Sequence, residues 1–204
     1  MLQGQDYELG KLSPLLVYLD RASRQGCSLS TGPAAVIRLE AAALAMQAGR
    51  PEANDLLQRG RDATRQALAC TPHDSYLWYA YFWVEEARAL PVQEVLPYLS
   101  MSYELGPHEA WISQSRSFDA WPLLPEMPHD LQQKVRREFL NLVRDSPRAA
   151  ASILRDADAP SRAAILATLE ELPLKKREEF ARVLDRRNIT IDIPGVDYRK
   201  WYQK

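Results

Sequence analysis

The chain has three histidines, and all occupy the same local setting: Pro72-His73-Asp74, Pro107-His108-Glu109 and Pro128-His129-Asp130. Imidazole beside a carboxylate is the usual material of general acid–base chemistry and of metal ligation. Here the triplet reads instead as a helix start. Proline is tolerated in a first helical turn, where its missing N–H costs nothing, and an acidic residue there faces the positive end of the helix dipole. Three such starts place the imidazoles on three separate helix ends rather than around one ion. The His108-Glu109 pair would need a second imidazole one turn on to form a zinc face, and that position is Ile112. Two cysteines and three histidines without close spacing make no zinc set.

Other catalytic patterns are missing as well. Eight scattered glycines form no phosphate cradle, and there is no Gly-x-Ser-x-Gly elbow. The pairs Glu85-Glu86, Glu170-Glu171 and Glu178-Glu179 are adjacent on helices. Neighbouring side chains diverge by about 100°, so these carboxylates do not converge on one bond and read as solvated faces. The sequence therefore predicts no catalytic residue, no metal site, no cofactor and no enzymatic activity.

A binding surface is better represented. Tyr76, Trp78, Tyr79, Tyr81, Phe82 and Trp83 put six aromatics into eight residues. On a helix they divide into two stripes, Tyr76/Tyr79/Trp83 and Trp78/Phe82, with almost no polar face before Glu85. That is more aromatic surface than one helix seam needs. Tyr and Trp combine a large apolar body with a polar handle suited to interfaces. Trp78, Tyr79 and Tyr81, together with Trp111, are the predicted partner-binding residues. The basic clusters Lys134/Arg136-Arg137, Lys175-Lys176-Arg177 and Arg186-Arg187 are interrupted by Glu138, Glu178 and Glu179, which argues against nucleic acid as a partner.

The elements that must hold these residues are helical. The 204 residues are 46% apolar and 26% charged with a net charge of −1, which describes a folded chain with a sizeable core and excludes a disordered or fibrous one. Charge is uneven: residues 1–127 carry 10 Lys and Arg against 15 Asp and Glu, while residues 128–204 carry 16 against 12. Punctuation comes from 14 prolines, most of them where a helix begins. Helices are predicted from Pro14 to about 25, over 34–48 ending at Gly49, from Pro51 to about 69, and from Pro72 to about 90. Further helices are predicted over 91–105, 107–121 and 128–144, with three shorter ones after Pro147, Pro160 and Pro173. The three prolines of 122–128 read as a connector. The predicted organisation is a helical repeat region over 1–121, the connector over 122–128, a C-terminal helical region over 129–188 and an extended tail over 189–204. In that tail Ile189, Ile191 and Ile193 alternate like a strand, as a strap on the helices or as a contact with another copy of the chain.

Pro72-His73-Asp74 recurs 35 residues later as Pro107-His108-Glu109, each followed by a tryptophan, Trp78 and Trp111. An early aromatic, a large residue in the second helix (Tyr98) and a closing proline, at a period near 34 residues, resemble the tetratricopeptide repeat. Ala67 and Pro72 fit the end of the preceding unit. Phe82 and Met101 depart from the small-residue positions. The resemblance spans about 34–121. It implies an all-α, TPR-like α-solenoid of antiparallel helix pairs, with a groove that takes a peptide or helix of a partner protein. A looser likeness, carried by Ser102-Tyr103-Glu104-Leu105-Gly106-Pro107-His108-Glu109-Ala110-Trp111, is to small bacterial helical-repeat proteins associated with envelope polysaccharide production. It implies, as the alternative function, an accessory or catalytic role beside that machinery or its sugars.

The start of the chain has neither a basic nor an apolar leader segment, and no apolar run reaches the ~18 residues of a membrane span. The expectation is a cytoplasmic scaffold, or a periplasmic one if an anchor preceded Met1, that reaches membranes only through a partner or such an anchor. Self-association through the C-terminal tail is the other partner expected. Cys27 and Cys70 could form one disulfide, but a chain of this length does not need one, and they are expected as free, buried thiols, since an unpaired cysteine packs as a small hydrophobe.

Overall fold

The computed structural model describes residues 15–16, 26–107 and 109–198. Among these the regular structure is helical and no strand forms, so the fold is all-α. The chain divides into two compact units, Met1–Pro107 and His108–Lys204. The helix predicted before residue 25 lies outside the described residues except for Leu15 and Leu16, which are helical. The aromatic tail after Tyr198 and His108 lie outside them entirely.

The first unit contains α1 (Thr31–Gln47), α2 (Ala53–Cys70), α3 (Ser75–Ala87) and α4 (Val92–Leu105). Helix α1 is rich in alanine, the strongest helix former, and buries Ala34, Ala35, Leu39, Ala41, Ala42 and Ala45. Such small side chains let the facing helix come close. Gly60 of α2 lies so near that a Cβ there would sit 2.6 Å from Leu39 Cδ2. Gly49, at φ +58°, then takes the left-handed conformation that stops the helix. Asp74 starts α3 by accepting hydrogen bonds from the backbone N–H groups of Tyr76 and Leu77. Helix α1 packs on α2 and α3 on α4, while α3 also touches both α1 and α2. A shared core of Leu39, Leu57, Leu68, Leu77, Ala80 and Val84 joins α1, α2 and α3, and Tyr98 of α4 packs against it.

Cys27 and Cys70 form a disulfide, with Cα atoms 5.5 Å apart. This corrects the expectation of free thiols. The segment ahead of α1 returns to the end of α2, and the pairing becomes visible only when that return is known.

The second unit is arranged around α6 (His129–Asp145). Helix α6 contacts α5 (Ala110–Ala120), α7 (Pro147–Asp156) and α8 (Ala159–Leu169), while α9 (Leu174–Asp185) rests on α7. The proline-rich segment read as a connector is a 3-10 helix, Trp121–Glu126, folded into this unit. Its Trp121 is buried and meets the Phe139 ring edge-on at 5.5 Å. Three prolines break the α-helical ladder without preventing burial of Trp121 and Leu124. The division between the units falls ahead of this segment, between residues 107 and 108.

The run from Ile189 to Ile193 has no regular secondary structure and joins no ladder, with Ile189 and Ile193 buried. Arg177 fixes the turn at its end. The Arg177 Nε donates to the Leu172 carbonyl at 3.1 Å and its Nη1 to the Pro194 carbonyl at 2.5 Å. The Tyr198 hydroxyl accepts from the Ile193 N–H at 2.9 Å and donates to the Ile191 carbonyl at 3.3 Å.

Candidate functional site

The predicted binding aromatics separate into interior and surface. Tyr79 is buried and stacks on Phe82 at 6.4 Å. Trp78 is half-buried; its Nε1–H donates to the Pro72 carbonyl at 2.7 Å, and its ring stacks on Tyr98 of α4 at 6.2 Å. Tyr98 in turn meets the edge of Tyr81, also buried, at 4.8 Å. Trp78 and Tyr81 thus tie α3 to α4 and to the loop before α3. Trp111 stands differently, 63% exposed on α5 in the other unit.

Beside Tyr81 lies a carboxylate expected to be solvated. Glu85 is not: its side chain is 2% exposed and accepts from Arg61 Nε of α2 at 2.7 Å and from Arg88 Nη1. Burial pushes this carboxyl up, but hydrogen bonds from Arg61, Tyr81 and Arg88 outweigh it and leave the pKa below the ordinary carboxylate range. Tyr81 is raised, first by burial and then by its hydrogen bond to Glu85. A carboxylate held ionised by two guanidiniums cannot readily take or give a proton near neutrality, so this cluster locks α2 to α3 and offers no acid or base.

Helix α5 has an unusual division of faces. Inward it presents Ser113, Arg116 and Ser117, all buried, to the Glu138 carboxylate of α6. Arg116 Nη2 and Nε both donate to Glu138, the latter at 3.2 Å, and the two serine hydroxyls donate at 2.9 and 3.2 Å. Four donors on one carboxylate are what an enclosed negative charge needs. Outward, Trp111 and Phe118 stand two turns apart on one face, Phe118 45% exposed. The helix is thus held by polar contacts on its inner side and shows aromatics on its outer side. Of the partner-binding residues expected from sequence, Trp111 alone is largely exposed; Phe118 was missed. Its spacing from Trp111 was the available signal.

Burial of Glu138 alters the reading of the basic run. Arg136-Arg137-Glu138 looked interrupted, but the carboxylate points to the core and is neutralised there by Arg116. On the far side of α6 is a groove of about 750 Å³ lined by His129, Gln132, Gln133, Arg136, Arg137, Leu140, Asn141, Arg144 and Glu171. Gln133 Nε2 donates to His129 Nε2 at 2.8 Å, and Arg136 Nη1 donates to Thr168 Oγ1 at 2.7 Å.

Among the described residues no three His, Cys, Asp or Glu side chains come together as a metal site. Nor is any of the described helices long and apolar enough to cross a membrane. Comparison of the chain with protein families, curated proteins and solved structures returns no match.

Proposed function

We propose that the chain is a non-catalytic binding scaffold that holds a peptide or helix of a partner protein, with Trp111 and Phe118 as its apolar anchors. The observation that carries this reading is the inverted character of α5: enclosed polar contacts on one face, two exposed aromatics on the other. Exposed aromatics on a helix fixed by a buried ion pair are pre-positioned and lose little freedom on binding. Their separation of about 10.5 Å along the helix matches apolar side chains two turns apart on a partner helix. The packing of α3 against both α1 and α2 is what a stack of tetratricopeptide-like pairs requires, and it supports that architecture for the first unit.

The test compares the wild-type chain with a Trp111→Ala/Phe118→Ala variant in quantitative affinity purification. The expected result is a protein recovered in stoichiometric amount by the wild type and lost by the variant, with thermal stability unchanged. If no recovered protein depends on those two rings, this reading is wrong.

A second reading, an accessory of envelope polysaccharide assembly, draws support from the Cys27–Cys70 disulfide. Structural disulfides persist in oxidising compartments such as the periplasm and are rare in the cytosol. It predicts that oligosaccharide quenches the intrinsic fluorescence of Trp111, and it fails if a panel of acidic and neutral oligosaccharides leaves the spectrum unchanged.

A further inference from the structure

Several arginines among the described residues engage a carboxylate: Arg61 and Arg88 hold Glu85, Arg116 holds Glu138, and Arg155 holds Asp156. The groove on α6 is different. Arg136, Arg137 and Arg144 line one wall, and none forms an ion pair among the described residues. Arg136 is steadied by the Thr168 hydroxyl and Arg144 by Asn141 Oδ1 at 3.4 Å, both neutral partners. Glu138, next to Arg137 in sequence, is turned inward and neutralised by Arg116, and the other two carboxylates of the helix, Asp130 and Asp145, are not among the residues that line the groove. Three guanidiniums against a single lining carboxylate, Glu171, leave the groove net positive and suited to an anion.

The remaining lining indicates which anion. Gln132, Gln133 and Asn141 bond internally through one atom each, to the Met127 carbonyl, His129 and Arg144, and their remaining amide donors and acceptors complement a peptide backbone. Leu140 supplies an apolar patch for aliphatic stems. No Phe, Tyr or Trp lines the groove, and the one ring in its lining, the His129 imidazole, is hydrogen-bonded to Gln133, so the groove lacks the row of large rings on which single-stranded nucleic acid stacks. Glu171, also in the lining, repels an anionic group set beside it, and a peptide can place a neutral or basic residue there. From His129 to Arg144 the helix runs about 22 Å, enough for about seven extended residues.

We propose that this groove binds an acidic polypeptide segment, with Arg137 and Arg144 gripping carboxylates in the two-point manner that guanidinium allows. The site shares no residue with the Trp111/Phe118 surface and does not depend on it.

The test uses the full chain and three fluorescent probes: a peptide of about eight glutamates, the matching glutamine peptide, and a single-stranded oligonucleotide of similar length. Binding is followed by anisotropy at low salt and again at raised salt. The wild type should bind the glutamate peptide, weaken as salt rises, and ignore the glutamine peptide. Arg137→Gln/Arg144→Gln, both exposed positions, should weaken binding by about tenfold or more without changing the melting temperature. Arg186→Gln/Arg187→Gln, a basic pair outside the groove, should leave binding unchanged, and Glu171→Gln should tighten it. Absence of binding by the wild type overturns the proposal, as does equal loss in the two arginine double variants. Tighter binding of the oligonucleotide through Arg137 and Arg144 would overturn the peptide assignment.

Discussion

Arg116 and Glu138 form an ion pair enclosed in the second unit, their side chains 0% and 4% exposed. Two charges taken from water on this scale are tolerated only if each is fully engaged, and Ser113 and Ser117 supply the remaining donors to the carboxylate. Removing one partner strands the other. Arg116→Met should therefore cost about 3–5 kcal/mol. The double variant Arg116→Met/Glu138→Leu should cost clearly less than the sum of its parts, because no orphaned charge remains. Urea unfolding of the four proteins in the cycle checks this. A single-variant loss below about 1 kcal/mol would mean the pair is not enclosed in solution.

The acid side of the stability profile should report on Glu85. Its pKa is depressed in the folded chain by Arg61, Tyr81 and Arg88 despite the opposing effect of burial. A depressed carboxylate adds stability above its unfolded value, near pH 4.3, and that stability is lost as pH falls through the folded value. Asp156, Asp158 and Glu179 are also lowered by their neighbours, but they lie at or near the surface, where such pairs contribute little. Urea midpoints measured downward from about pH 6 should fall for the wild type and fall less steeply for Glu85→Gln, which starts lower. Parallel curves would show that Glu85 does not drive the acid loss.

Helix starts and stops were legible because they depend on neighbours in the chain. Asp74 caps α3, Pro91 and Pro128 precede α4 and α6, and Gly49 and Gly106 follow α1 and α4. The features that escaped depend on distant partners. Glu138 lies at an apolar-stripe position of α6, on the same face as Leu131, Val135 and Leu142. A carboxylate there signals burial, but the identity of its partner is set by how α5 packs on α6. The same holds for Glu85, whose adjacency to Glu86 suggested a solvated pair while Arg61, on another helix, draws it inward. Aromatic density marked α3 as special without separating packing from display. Tyr79 and Tyr81 are buried, and the most exposed of the four predicted residues, Trp111, lies on a helix of ordinary composition.

The disulfide offers the last prediction. Cys27 and Cys70 are 43 residues apart in sequence, and closing a loop of that length in the unfolded chain is worth about 4 kcal/mol on chain-entropy grounds. Cys27 lies outside α1, and among the described residues the hydroxyls of Ser28 and Ser30 bond to each other and Ser28 to Thr31. Reduction should therefore lower the urea midpoint while leaving the helical signal of the folded state nearly unchanged, since α1 and α2 keep the buried core to which Leu39 and Leu57 both belong. Cys27→Ser/Cys70→Ser should match the reduced wild type and be insensitive to reductant. Thiol titration of the oxidised native protein should find none. Two titratable thiols in protein purified without reductant would remove the cross-link and, with it, the support for an oxidising compartment.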